Sequence, residues 1–485
     1  MLLEMPDLHK PTYHFSSPHG SCMPFDPNGC IYWKGKFHIF YIFQEGLEGA
    51  ITHHWGHASS SNLIHWTYHP PALAPTNDSP EKGIFSGCAF LDREGLPVIA
   101  YYGIGAGICL AFANDDDLIN WSKSPNNPVI PEPKRGDPLF DVYRVFDPHV
   151  WVEQDVYHAI LGGQVKPHNQ YDTAYLFTST DLVHWDYQRP FYNPNPQWTE
   201  AIEDCACPDF FRLDDTHVLM CISHTHGTRY YLGSYQNGTF VSESHHRMNF
   251  PGGSCFASES LVDQMGRRIV WAWALSQLSN NNDYFSVMTM PRVLSTDTTK
   301  TLTVEPVREL ELLRKKHRKL PSFSMANETR TFFDYSGRTQ EFSIAIESNE
   351  CDQFGLIVCS SPNRIEETRI LFDLLKSEIS IDTSDSSLDK NVYRAFPIIG
   401  KKLPKKDIAV QTASHQFEDS VTRIRLFIDE SIMELYVDRH LCLTQRVYPT
   451  LANSRMTRLF VTNGSITVHQ LEAWEMSPLI YTDGA

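Results

Sequence analysis

Asn62-Leu63-Ile64-His65-Trp66 is the stretch on which the fold turns, because it returns as Asp117-Leu118-Ile119-Asn120-Trp121 and again as Asp181-Leu182-Val183-His184-Trp185. Each copy reads Asn or Asp, Leu, Ile or Val, His or Asn, Trp, and the tryptophans fall about 55 and about 64 residues apart. Short apolar or alternating runs surround the copies, as at residues 37–43, 98–102 and 218–222, each bounded by Gly, Pro, Asn or Asp. Such runs read as strands, and long stretches of helical period are nearly absent. A repeat built of short strands, somewhat longer than the propeller periods near 40 to 50, predicts blades with inserted loops. About 300 residues at roughly 60 each predicts five of them.

The pattern changes further along. Residues 305–313 have helical spacing, and the basic run Arg314-Lys315-Lys316-His317-Arg318-Lys319 before Pro321 reads as a solvated linker. The expected division is therefore residues 1–320 and residues 321–485. In the second part, residues 423–428 turn at Asp429-Glu430-Ser431 into residues 432–437, a hairpin expected to have one wet face. With residues 342–346, 354–358, 369–372 and 458–461 it predicts a β-sandwich. The chain is expected to be all-β, a five-bladed β-propeller followed by a C-terminal β-sandwich.

Composition narrows the function. In 485 residues, 41 Lys and Arg face 58 Asp and Glu, a formal net charge of −17, so no basic surplus exists to neutralise a phosphate backbone or an anionic membrane. With 41% hydrophobic and 20% charged residues, disorder and coiled coil are excluded as the main architecture. The first residues, Met1-Leu2-Leu3-Glu4-Met5-Pro6-Asp7, lack the basic and apolar regions of a secretory signal, and no run of 18 apolar residues occurs. Eleven cysteines without regular spacing read as free thiols in a reducing, cytoplasmic setting. The oligomeric state is left open, self-association included.

Two tripeptides carry the chemistry: Phe25-Asp26-Pro27 and Phe146-Asp147-Pro148. The strand ends of successive blades meet in an axial funnel, so acidic positions repeated in different blades can converge there. Converging carboxylates are what glycosyl transfer requires, one as ionised nucleophile, one as proton donor, a third to hold hydroxyls and face the oxocarbenium-like transition state. Cys205, Cys207, His224, His226, His245 and His246 match no usual zinc spacing. No phosphate loop or serine elbow occurs, and neither cofactor nor metal is expected.

At this point the chain resembles the β-fructofuranosidases of glycoside hydrolase family 32. Pro11-Thr12-Tyr13-His14-Phe15 followed by Phe25-Asp26-Pro27-Asn28-Gly29 is similar to the family's opening motif. Trp55-Gly56-His57-Ala58-Ser59, the first pentapeptide, and Pro71-Ala72-Leu73-Ala74-Pro75 follow its next stretch, and Phe85-Ser86-Gly87-Cys88 its F-S-G-S segment. Met290-Pro291-Arg292, Glu305-Pro306-Val307-Arg308-Glu309-Leu310 and Arg446-Val447-Tyr448-Pro449 resemble the propeller exit and the sandwich signature. The resemblance implies Asp26 as nucleophile and Asp147 as transition-state stabiliser. It also implies that Asn28, Trp55, Phe85, Ser86 and Arg144 surround the fructose.

Two departures stand out. Arg144 lies two residues earlier than the family's arginine, with Phe146 in its place. The family's acid sits in E-C-P-D, whereas this chain reads Glu203-Asp204-Cys205-Ala206-Cys207-Pro208-Asp209, which puts Ala206 where the acid belongs. Either Glu203 or Asp204 supplies the acid from a shifted backbone, or the chain is an acid-deleted variant, or it is a binding protein. The expected activity is a retaining β-fructofuranosidase acting on terminal fructosyl units of sucrose or short fructans. The alternatives are a related furanosidase for a sugar such as an arabinofuranoside, and a silent sugar-binding propeller.

Overall fold

A computed structural model of the chain describes residues 9–20, 22–47, 50–278, 286–332, 337–399, 403–417 and 419–484. The N-terminal segment read for a secretory signal, residues 1–7, lies outside these residues. Between Pro27 and Pro306 the strands form five consecutive antiparallel sheets, each entered by its innermost strand: Pro27–Trp33, Ile84–Leu91, Pro148–Glu153, Ala206–Leu213 and Cys255–Val262. Each innermost strand packs against that of the next sheet, and the fifth packs against the first. The C-terminal strand Ile480–Asp483 adds parallel to His65–Leu73, the outer strand of the first sheet.

The inner strands are apolar on both faces because neighbouring sheets cover them on either side, whereas outer strands such as Asp186–Pro190 are exposed. Phe40, Ile42 and Trp55 of the first sheet pack with Ile84, Ile99 and Tyr101 of the second. Similar layers join the second sheet to the third and the third to the fourth. A strand such as Lys36–Leu47 therefore reads as a near-continuous hydrophobic run rather than an alternation.

The repeated pentapeptide is the turn into each outermost strand. Leu63, Leu118 and Leu182 all take left-handed backbone angles, φ of 64°, 57° and 63°. Trp66 Nε1 donates to the Leu63 carbonyl at 3.0 Å and Trp121 Nε1 to the Leu118 carbonyl at 2.8 Å. The leading Asn62 or Asp181 side chain accepts from backbone N–H groups two and three residues on. In the second copy Asp115, two residues before the motif, takes this role for Ile119 and Asn120, so the motif is one capped turn used three times.

Two large sheets and a two-stranded one, Ala395–Phe396 with Lys406–Asp407, follow. One runs Arg314–Leu320, Ser465–Met476, Thr339–Asn349, Val421–Asp429, Ile432–Val437 and Leu441–Arg446, and the other is built around Met456–Thr462, Gln353–Ser360 and Thr368–Asp373. Phe342, Ile344, Phe354, Ile370, Leu435 and Leu459 fill the core between them. Three expectations need correction here. Residues 305–313 do not form an α-helix: Leu302–Pro306 is a strand, and only Arg308–Leu313 makes a short 3-10 turn. The basic run is a strand rather than a linker, because Lys316 pairs with Glu475, and His317 and Lys319 with Glu472, on Ser465–Met476. The hairpin is wet on one strand only: Ile432–Val437 is buried throughout, whereas Arg423 on Val421–Asp429 is exposed and Arg425 half-buried. Its outward residues Phe427 and Tyr436 join the core of the first five sheets, and Glu434 pairs with Arg292 at 2.9 Å and accepts from the Met290 N–H at 2.8 Å.

Candidate active site

The site lies where the innermost strands begin. Gly29 has φ of 52°, and a Cβ there would stand 3.0 Å from the Phe40 ring and 3.1 Å from Trp55, so the register shift in Pro27–Trp33 just after Asp26 requires glycine. Asn28 bridges two sheets, its Nδ2 donating to the Asp26 carbonyl at 2.8 Å and its Oδ1 accepting from the Gly87 N–H at 3.0 Å. Ser86 Oγ donates to Asp26 Oδ2 at 2.8 Å, and Trp55 Nε1 donates to the Phe85 carbonyl at 2.9 Å. Asn28, Trp55, Phe85 and Ser86 are thus gathered around Asp26.

Asp147 enters from the third sheet with a left-handed φ of 22°, and Cys207 from the fourth with φ of 43°. Such conformations in non-glycine residues concentrate where function holds the chain. Cys207 N–H donates to Asp147 Oδ2 at 3.0 Å, and its Sγ lies 3.5 Å from that oxygen and 4.0 Å from Asp26 Oδ2. One thiol therefore stands beside both carboxylates.

Both aspartates are buried, and Oδ1 of each is sealed from solvent without a hydrogen-bond partner. A buried carboxylate oxygen left unpaired is costly unless a ligand meets it. Burial raises Asp26 to about 7, with the Asp147 charge adding to it against the Ser86 hydrogen bond. Burial likewise raises Asp147 to about 6, opposed by the Cys207 N–H, His224 and Arg144. Arg144 lies with its guanidinium 5.1 Å from the Phe146 ring centre, at the edge of this group, where its charge favours ionised Asp147.

Glu203 and Asp204 have separate surroundings. Glu203 is fully buried, bonded by Arg229 Nη1 at 2.8 Å, Arg247 Nη2 at 2.7 Å and the Glu200 N–H at 3.0 Å. Burial alone would raise its pKa, but the two arginines outweigh that and hold it at about 2. Asp204 accepts from the His224 N–H at 3.0 Å and pairs with His224 Nδ1 at 2.6 Å. Ala206 is fully buried. Sequence reasoning had set His224 and Cys207 aside with the metal-like cysteines and histidines. The signal that places His224 is the Asp214-Asp215 turn, which folds Thr216–Ser223 back on Ala206–Leu213. Among the described residues no group of three or more His, Cys, Asp or Glu is arranged to hold a metal ion, and all eleven cysteines are unbridged.

The family model for the glycosyl hydrolases family 32 N-terminal domain matches residues 14–306, and that for the family's C-terminal domain matches residues 309–475. The chain belongs to glycosyl hydrolases family 32. This family 32 chain is 26% identical to the sucrose-6-phosphate hydrolase of Escherichia coli, covering 96% of its own length and 94% of that protein. It is 28% identical to an insoluble beta-fructofuranosidase isoenzyme of Arabidopsis thaliana, covering 96% and 90%. The crystal structure of fructan 1-exohydrolase IIa from Cichorium intybus superimposes with a TM-score of 0.82 over 99% of this chain and all of that one, at 22% identity. Within the family 32 frame, Asp26 and Asp147 are the two carboxylates that meet at the mouth of the innermost strands.

Proposed function

We propose that this family 32 chain is a retaining β-fructofuranosidase that releases terminal fructosyl units from sucrose or short fructans. In this reading its five sheets are the blades of a β-propeller, supported by the closed ring of innermost strands. Residues 1–320 form the catalytic unit and residues 321–485 the β-sandwich, with Arg314–Leu320 as a seam hydrogen-bonded to the second unit. A cytoplasmic location is supported by eleven unbridged cysteines.

The observation that carries the reading is the pair of buried carboxylates with unpartnered oxygens, Asp26 and Asp147, in a family of glycosidases. Asp26 attacks the anomeric carbon and forms a fructosyl ester as the glycosidic bond breaks, the leaving oxygen taking a proton. Water then attacks the ester and restores Asp26. Asp147 grips ring hydroxyls and faces the positive charge that develops. The proton comes from the Asp204 side of the site, because Glu203 is locked ionised between two arginines. Asn28, Trp55, Phe85 and Ser86 shape the fructose pocket, and Arg144 supports Asp147 from its edge.

Incubation with sucrose, sucrose 6-phosphate and a short inulin tests the reading by release of free sugar. Free fructose is expected from the wild type with each substrate and not from Asp26→Asn. Cleavage confined to an arabinofuranoside would favour the related furanosidase, and binding of sugars without turnover the silent propeller.

A further inference from the structure

The strand that carries Ala206 leaves a gap in the chemistry, because a methyl group supplies no proton, while the fully buried Glu203 is held ionised. The neighbouring strand fills that gap. Ala206 pairs with Ile222 across the antiparallel ladder, and continuing that register by two residues sets Asp204 opposite His224. His224 therefore follows the ladder by two residues beyond Ile222, the partner of Ala206, and Asp204 fastens it there.

The bonds made by His224 orient it for proton transfer. Asp204 holds it at two points, the backbone N–H at 3.0 Å and ring Nδ1 at 2.6 Å, which keeps the Nδ1 proton in place. The other nitrogen, Nε2, has no protein partner among the described residues, and the side chain is 31% exposed. The ring centre lies 6.1 Å from that of Phe146, the residue before Asp147, and 6.2 Å from that of Phe256. Three carboxylates, Asp204, Asp147 and Asp26, act on it, and the Cys207 thiol stands beside the latter two with its pKa pushed up by burial.

We propose that His224, oriented by Asp204, is the proton donor and acceptor of this site, standing in for a carboxylic acid at position 206. The assignment rests on the fructofuranosidase reading. In the first step the imidazolium gives its Nε2 proton to the glycosidic oxygen as the bond from that oxygen to the anomeric carbon breaks and the Asp26 ester forms. In the second, neutral Nε2 takes a proton from water, the hydroxyl oxygen bonds to the anomeric carbon, and the ester electrons return to the Asp26 carboxylate. Asp204 stays ionised throughout and is a positioning residue. Burial alone would disfavour the imidazolium, but the three carboxylates outweigh it and raise its pKa, so it persists to higher pH than an ordinary histidine.

Two substrates separate this role from a structural one: sucrose, whose leaving oxygen needs a proton, and β-fructofuranosyl fluoride, whose leaving fluoride does not. His224→Gln is expected to lower kcat/KM for sucrose by roughly 10²- to 10⁴-fold, abolish the basic limb of its pH profile and spare the first release of fluoride. Azide, a nucleophile that needs no base, should restore turnover of the fructosyl-enzyme that accumulates. Asp204→Asn should keep part of the sucrose activity and move the basic limb to lower pH. Fluoride release also reports folding, and His224→Asn repeats the test with a shorter side chain. The assignment is overturned if either His224 variant keeps wild-type sucrose activity and its basic limb, or if both variants lose sucrose turnover and the first release of fluoride equally. A wild type that turns over neither substrate overturns the fructofuranosidase reading itself. A wild type that turns over both, beside an unaffected His224→Gln, overturns the histidine alone.

Discussion

Asp26→Asn keeps the size of the side chain and the contact with Ser86 but cannot form an ester with fructose. Its kcat should drop by several orders of magnitude, a barrier increase of about 5 to 8 kcal/mol, with the thermal unfolding profile unchanged. Asp147→Asn should lower kcat more than it raises KM, because its contact strengthens as charge develops; loss of affinity alone would reduce it to a ground-state contact. Burial lifts Asp26 to about 7 and Asp147 to about 6, so both charged forms are lost as pH falls through that range. The acid limb of kcat/KM should lie there as a property of the pair. Glu203→Gln should leave turnover per folded molecule intact while costing about 1 to 3 kcal/mol of stability, since Arg247 loses its carboxylate and Arg229 keeps only that of Asp172. The aspartates were legible because each sits in a repeated tripeptide at a strand start. Glu203 and Asp204 were legible only as carboxylates, since what separates them is Arg229, Arg247 and His224 on neighbouring strands.

At the scale of elements, legibility followed whether a segment closes its own bonds. The pentapeptides at Asn62 and Asp181 cap their own turns, and the one at Asp117 is capped by Asp115 two residues earlier, so local sequence announces all three. The run Arg314–Leu320 bonds instead to Ser465–Met476, some 150 residues away in sequence, so its charges looked like those of a solvated linker. The hairpin Val421–Asp429 and Ile432–Val437 was readable from alternation, but its outward Glu434 looked wet because its partner Arg292 lies in the first five sheets. Arg292→Met should leave Glu434 buried without its strongest partner and cost about 3 to 5 kcal/mol in chemical denaturation, whereas Met paired with Glu434→Leu should recover much of the loss. Equal stability in the single and double variants would show that the ion pair does not hold this junction.

For the whole molecule, the two units share one buried surface. Asp429 accepts from the backbone N–H groups of Thr12, Tyr13 and His14, and Phe427 and Tyr436 are packed with Leu302, Val304 and Leu310. A chain ending near residue 320 should therefore aggregate or unfold at lower temperature, and a soluble, fully active truncation would deny the second unit its structural role. Glu434 makes the junction pH-sensitive: burial alone would raise it, but Arg292 and His14 bring it to about 2. That stability is present above the ordinary glutamate range and lost as pH falls from about 4.5 toward 2, so the junction should weaken over that range. The central claim is that Asp26 forms the covalent bond to the sugar. Rapid acid quench of the enzyme turning over β-fructofuranosyl fluoride, followed by peptide mass spectrometry, tests it most directly. One anhydrofructose should appear on the peptide bearing Asp26, whereas an adduct on another residue, or none while fluoride and fructose are released, would contradict it.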